Sequence, residues 1–419
     1  MIRGDDVQAP SCRAQATAWR ASTALALCAA VCLPALPAQA LDLTFGAALR
    51  VDSEDNPDLN DATKDGLTQA QLRLSLDGLW DTGDTQLAFG LAGQLQGDIS
   101  GPGSGRNTRF SSPSLYFDYA RQSANAGFTL GARLREDDLT RNQAIDDFDE
   151  NVGHRRTSTV SAGFTLGNSS SLGFSANLGH DDVSYRDDPS GTQVDYRRTR
   201  LNTQTRMDIT EVMQATLGLG WGRYESDTGA DRQSWSADLG LNIDRPNGVA
   251  SAVLNYADTE GKDRLSLRVG HTYEMPLGTQ SVSLGMARGP GGDFFAIGTL
   301  GLSLATQNGG WTATLDRGLS TGQSTDTEVI LTRVGLSYSH ALSPVAGLTF
   351  DINYAENETL ATGTTVARAD IGAAYSRALS DQWSLNLGLR HRERWRSAGT
   401  DDSTNSAFIE LRHTLNVQY

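Results

Sequence analysis

The chain has 419 residues, 38% of them hydrophobic, with a mean hydropathy of -0.37 and a net charge of -15. That polarity excludes a bundle of membrane-crossing helices, each of which needs about 20 consecutive apolar residues, but not a wall of strands, where only every second residue must meet lipid. The acidic balance, with Lys64 and Lys262 the only lysines and no basic patch, excludes nucleic acid as a partner.

The one continuous apolar run, Ala21 to Leu36, stands behind Arg13 and Arg20. Pro34 and Pro37 break its end, and Ala38-Gln39-Ala40 has the small-x-small form of a signal-peptidase site. Residues 1–40 are therefore expected to be a removed signal peptide, and 41–419 the mature domain. Cys12, Cys28 and Cys32 all fall in the leader, which leaves the mature chain without disulfides, thiolate metal sites or cysteine nucleophiles. Losing residues 1–40 removes three arginines and two aspartates, so the net charge falls by one, to -16.

From Leu41 onward one theme repeats: about ten residues of alternating apolar and polar character, a turn, then another such run. Leu41, Leu43, Phe45, Ala47 and Leu49 share one face of the first run. Near the end, Trp383, Leu385, Leu387 and Leu389 oppose Asn386, Gly388, Arg390, Arg392 and Arg394. In the last run Ala407, Ile409, Leu411, His413, Leu415, Val417 and Tyr419 oppose Phe408, Glu410, Arg412, Thr414, Asn416 and Gln418.

Alternation alone fits a sandwich as well as a barrel, and three features favour the barrel. Short connections (81–84, 168–170, 244–248, 308–310, 343–345) alternate with long acidic or Gly-rich ones (52–66, 97–111, 136–154, 396–406), as expected of two unlike rims. The eight mature prolines, Pro57, Pro102, Pro113, Pro189, Pro246, Pro276, Pro290 and Pro344, fall in connections or at a strand's first residue, as a wall with no free edge requires. Trp80, Trp311 and Trp383 sit at short-turn ends and Trp221, Trp235 and Trp395 toward long-loop ends, the pattern of two aromatic girdles. The expected fold is all-β: a closed antiparallel transmembrane β-barrel of about 18–20 strands, the uncertainty lying in weak runs between 249 and 290. No globular segment of about 100 residues precedes it, so no plug domain is expected.

With the apolar row facing lipid, Arg73, Arg133, Arg135, Arg198, Arg200, Arg206, Arg264, Arg268, Arg368, Arg390, Arg392, Arg394 and Arg412 are expected to line the pore, along with Asp77, Asp208, Asp370 and Glu410. An arginine on the lipid face near the midplane would cost about 2–4 kcal/mol. Guanidinium rows in a wide aqueous lumen suggest a path favouring anions, while pairing with lumenal carboxylates would make the same residues braces of the wall.

Other chemistry finds little support. The acidic stretches 52–65 and 137–150 lack the ligand spacing of an EF-hand loop and read as solvated loops, so no metal and no cofactor is expected. His154, His180, His271, His340, His391 and His413 form no HExxH or HxxH pair, and Gly289-Pro-Gly-Gly292 and Gly101-Pro-Gly-Ser-Gly105 are loop punctuation. No enzyme is expected.

The leader, the whole-length dyad pattern and the ending Leu411-Arg-His-Thr-Leu-Asn-Val-Gln-Tyr419 together resemble Gram-negative outer-membrane porins. The ending is similar to the terminal aromatic signal read by the barrel-assembly machinery, with Tyr where Phe is usual. A shorter likeness, Gly46 to Leu59 with its Ser53-Glu-Asp-Asn-Pro57, is to the start of β-barrel porins found near exopolysaccharide genes. The resemblance implies an outer-membrane location and partners of three kinds: outer-membrane lipid with lipopolysaccharide, the assembly machinery through Tyr419, and small solutes. The expected activity is passive diffusion of small hydrophilic solutes, anions among them, with the 136–154 loop as the expected constriction. Export of an exopolysaccharide, and a surface enzyme or adhesin on a barrel scaffold, are the alternatives. A homo-oligomer would bury an apolar seam, which no run singles out from lipid-facing surface.

Overall fold

The computed structural model describes residues 41–418 apart from 58, 60–64, 102–107, 140–147, 149–152, 188–192, 228, 230, 322–326, 398 and 400. The expected signal peptide and Tyr419 therefore lie outside the described residues. Twenty strands follow one another: β1 (Leu41–Glu54), β2 (Leu67–Asp81), β3 (Thr85–Ser100), β4 (Arg109–Gln122), β5 (Ala126–Asp138), β6 (His154–Leu166), β7 (Leu172–Arg186), β8 (Tyr196–Thr210), β9 (Met213–Ser226) and β10 (Arg232–Arg245) make the first half. The second half is β11 (Gly248–Thr259), β12 (Lys262–Met275), β13 (Gly278–Arg288), β14 (Phe294–Thr306), β15 (Gly309–Thr321), β16 (Glu328–Ser343), β17 (Ala346–Thr359), β18 (Thr364–Ala378), β19 (Trp383–Arg396) and β20 (Asp402–Gln418). Each strand pairs antiparallel with the next, and β1 pairs with β20 from Asp42↔Gln418 to Glu54↔Ser406, closing a single 20-stranded barrel. The weak runs between 249 and 290 are three separate strands, β11 to β13, which settles the count at twenty.

Closure satisfies every edge, the condition for strands to cross lipid. The period-two pattern then puts the apolar row outside. Phe45 is level with Leu76 and Leu415, and Leu49 with Leu72 and Leu411, so one lipid-facing belt runs across the seam. Leu219, Leu284 and Leu389 are 54%, 71% and 66% exposed, far more apolar surface than a water-soluble wall would leave bare. Two aromatic bands flank the belt. At the short-turn rim Trp311 stacks on Tyr338 with centroids 4.2 Å apart, Trp383 packs on His413 at 4.7 Å, and Tyr119 lies against Phe128 at 6.3 Å. At the other rim Trp221 packs on Trp235 at 6.4 Å and Tyr354 on Trp395 at 6.5 Å.

Two expectations about the connections need correcting. All the longer ones do lie at one rim, but five at that same rim have five residues or fewer: 227–231, 260–261, 289–293, 360–363 and 397–401. The tightest is Glu260-Gly261, with φ of 52° and 82°, the double positive φ of a type I′ hairpin turn. That rim is therefore uneven, with short and long connections interspersed. The second correction concerns Pro113, which lies inside β4 and not at its start. It is tolerated because a bulge falls there: Gln94 pairs with Ser111 and Ala92 with Ser114, so Ser112 and Pro113 oppose Gly93 alone. Ser112 carries a φ of 50° to make the extra residue fit. Pro57, Pro246, Pro276, Pro290 and Pro344 lie in connections as expected, while Pro102 and Pro189 fall outside the described residues.

Candidate functional site

The interior face is built by register. Ala48 is level with Arg73 and Arg412, Tyr116 with Arg133, Asp181 with Arg198, and Ala257 with Arg264. On the last strands Arg368 stands level with Arg394, Asp370 with Arg392, and Gly372 with Arg390. Stepping by two along each strand from these positions brings all thirteen expected arginines onto the face opposite the apolar row. The same rule places Arg50, Arg109, Arg155, Arg232, Arg333 and Arg396 there as well, through the level pairs Arg50↔Glu410, Gln96↔Arg109, Asp137↔Arg155, Tyr224↔Arg232, Asp316↔Arg333 and Val366↔Arg396. Most of those six stand near strand ends, where alternation fades and the face is not legible from local sequence.

Most of these guanidinium groups are committed. Nine of the thirteen have a carboxylate within 4.0 Å: Arg133 with Asp118, Arg135 with Asp137, Arg200 with Asp181, Arg206 with Asp208, Arg264 with Glu328, Arg390 with Asp370, Arg392 with Glu54, Arg394 with Asp402 and Arg412 with Glu410. Arg73, Arg198 and Arg268 have none among the described residues. Asp77 instead accepts a hydrogen bond from the Tyr116 hydroxyl at 3.0 Å.

The densest cluster sits where the barrel closes, near the long-loop rim. Asp402, 4% exposed, takes Arg394 at 2.9 Å and Arg396 at 2.7 Å. Such buried charges stand only when paired. The chain leaving β1 is strapped across them: Asp55 accepts from the Asn405 amide at 2.7 Å, from Asn405 Nδ2 at 2.8 Å and from Thr404 Oγ1 at 3.1 Å. Asn56 Nδ2 donates to the Ser403 carbonyl at 2.9 Å, and Arg394 Nη2 to the Leu59 carbonyl at 2.8 Å, which puts Leu59 on the inner side. Partial burial acts to raise the Asp55 pKa, but the hydrogen bonds from Asn405 and Thr404 outweigh it and hold the carboxyl below its usual value of 3.8.

A second segment reaches the same wall. The Arg368 guanidinium lies over the ring of Phe148 at 5.8 Å. Phe148 belongs to the connection between β5 and β6, far round the wall from β18, and its ring lies on the inner side beside Arg368. Most of 136–154, the expected constriction, lies outside the described residues beyond the strand ends. The histidines, by contrast, fall on the lipid-facing row. His180 bonds Thr199, His391 bonds Asn405, and His413 approaches Gln382, all on that outer face or at its rims. No histidine faces the lumen.

A closed 20-stranded wall with an apolar exterior, two aromatic bands and a charged interior defines an outer-membrane β-barrel of porin-like build, seated in the outer membrane of a Gram-negative bacterium. The sequence matches no protein-family model and no curated protein. Two solved siderophore receptors share its fold. The siderophore receptor PirA from Pseudomonas aeruginosa aligns over 91% of this chain and 81% of its own, at 10% identity and a TM-score of 0.51. PirA from Acinetobacter baumannii aligns over 89% and 80%, at 10% identity and 0.52. The outer membrane protein OpdK from Pseudomonas aeruginosa aligns over 90% of this chain and 99% of its own, at 12% identity and 0.44.

Proposed function

We propose that the protein is a channel through which small hydrophilic anions cross the outer membrane by passive diffusion. The observation that carries this reading is that Arg73, Arg198 and Arg268 on the inner face have no carboxylate within 4.0 Å among the described residues. A guanidinium stays charged at any physiological pH, so a solute anion can replace the carboxylate these side chains lack. The chain's overall negative charge does not oppose this, because much of it lies on solvated rim segments. Charges there are screened beyond about 8 Å, whereas those lining a narrow lumen act at contact. On this reading the strap to Leu59 and the segment bearing Phe148 narrow the path, and no plug domain fills it.

Zero-current potentials of the refolded protein in a planar bilayer under a KCl gradient test the idea. An anion preference is expected, falling toward parity in Arg73→Gln combined with Arg268→Gln, two changes that strip no carboxylate of its partner. Arg390→Ala with Arg392→Ala is a poorer probe, since it would orphan Asp370 and Glu54. An impermeable protein, or one preferring cations, would sink the proposal.

A further inference from the structure

The inner wall from β8 to β12 is not lined evenly. Toward the long-loop rim it holds an alcove of about 340 Å³. Its floor is β9, where Gly220 and Gly222 bring no side chain and the hydroxyls of Ser236 and Ser234 lie over the places a Cβ would occupy, with Asn202 beside them. Arg198 and Arg200 flank the floor on β8, Arg264 stands on β12, and Ser320 of β15 faces them. The outer end is a stack: Tyr196 on Tyr224 with centroids 5.0 Å apart, and the Arg232 guanidinium 4.3 Å above the Tyr224 ring.

The lining holds one carboxylate, Asp258, which accepts from the Gly261 amide, against the arginines Arg198, Arg200, Arg223, Arg232 and Arg264. Arg200 is held by Asp181 at 2.5 Å, whose other oxygen accepts from Thr159 at 2.9 Å, and Arg264 is held by Glu328 at 3.4 Å. Arg198, between Arg200 and the tyrosine stack, has no carboxylate within 4.0 Å among the described residues, since Asp181, level with it on β7, is taken by Arg200. The alcove therefore offers one unclaimed guanidinium, a row of serine hydroxyls and a side-chain amide, and an aromatic stack. A simple inorganic anion would use the first alone. An aromatic acid would use the first and third but leave the hydroxyls desolvated and unpaired, which is costly. A polyhydroxylated ring bearing one carboxylate uses all three.

We propose that the alcove is a binding station for a sugar acid on the solute path. This rests on the channel reading and deepens it, by assigning a substrate class to one part of the wall. Galacturonate is the probe. It should reduce the current through the refolded channel saturably, half-blocking at a concentration at least about tenfold below that of galactose, benzoate or acetate, each of which lacks one or two of the matched features. Arg198→Gln should raise the half-blocking concentration about tenfold, the loss of one charge-assisted contact, and Tyr224→Leu about fivefold, each variant first shown to fold by its heat-dependent gel mobility. Equal block by benzoate or acetate overturns the proposal, and so does an Arg198→Gln channel that still conducts, still prefers anions and still binds galacturonate as before. A protein that never conducts refutes the channel reading instead. Calorimetric titration of the refolded barrel with galacturonate then decides the station by itself, absence of heat refuting it.

Discussion

At the scale of single residues the interior is a set of ion pairs with three gaps. Some of those pairs can be read from spacing alone: Arg50 and Asp52, Arg135 and Asp137, Arg206 and Asp208, and Glu410 and Arg412 are two residues apart, hence on one face of one strand. Others join residues that no local pattern relates, such as Glu54 with Arg392 or Arg264 with Glu328, and only closure of the wall brings them together. That is why the inward direction of the thirteen arginines was legible in the sequence while their division into braces and free charges was not. Asp55 gives this scale its pH dependence. A carboxyl whose folded pKa is depressed contributes stability that is complete above the unfolded value and disappears as pH falls through the folded one. Attachment of the strap should thus persist at pH 5 and weaken only below the ordinary carboxylate range. Hydrogen exchange at the Asn405 amide, which donates to Asp55, reads this directly: protection that vanishes between pH 6 and 5, after correction for intrinsic rates, contradicts it.

At the scale of elements the strands are longer than their alternation suggested, running from 11 residues in β13 to 17 in β20. The extra length lies beyond the lipid belt, where both faces are polar and period two disappears. Asp52-Ser-Glu54 and Asp402 to Ser406 read as loop by composition, yet they continue the ladder. Pro113 was misplaced for a related reason, since a bulge breaks the alternation a strand is recognised by. Within the belt the pattern is strict and its energetics are simple. Leu219, at the middle of β9 and level with Ala237 and Thr203, faces lipid. Leu219→Arg should destabilise the barrel by about 2–4 kcal/mol, whereas Leu219→Phe should be close to neutral. Equilibrium unfolding in lipid vesicles against guanidinium measures both, and an arginine variant as stable as the parent would place this face away from lipid.

At the scale of the whole molecule, closed topology and apolar exterior were legible because they follow from one repeated rule, while the uneven rim was not, because turn lengths carry no information about height until the strands are in register. The seam between β1 and β20 has a kinetic meaning. Thr44 donates to Asn416 at 3.0 Å across 372 positions of sequence, nearly the full length of the barrel, and loop-closure entropy must be met before any of that ladder forms. Until the last strand arrives the sheet has two bare edges, which are templates for pairing with other chains. The order of synthesis and the order of sealing therefore coincide, and a chain cut before Asp402 should collect as aggregate or edge-paired oligomer. A light-scattering and gel-mobility comparison of the 1–401 chain with the parent during refolding checks this, and a monomeric, heat-modifiable 19-stranded product would show that the seam is dispensable.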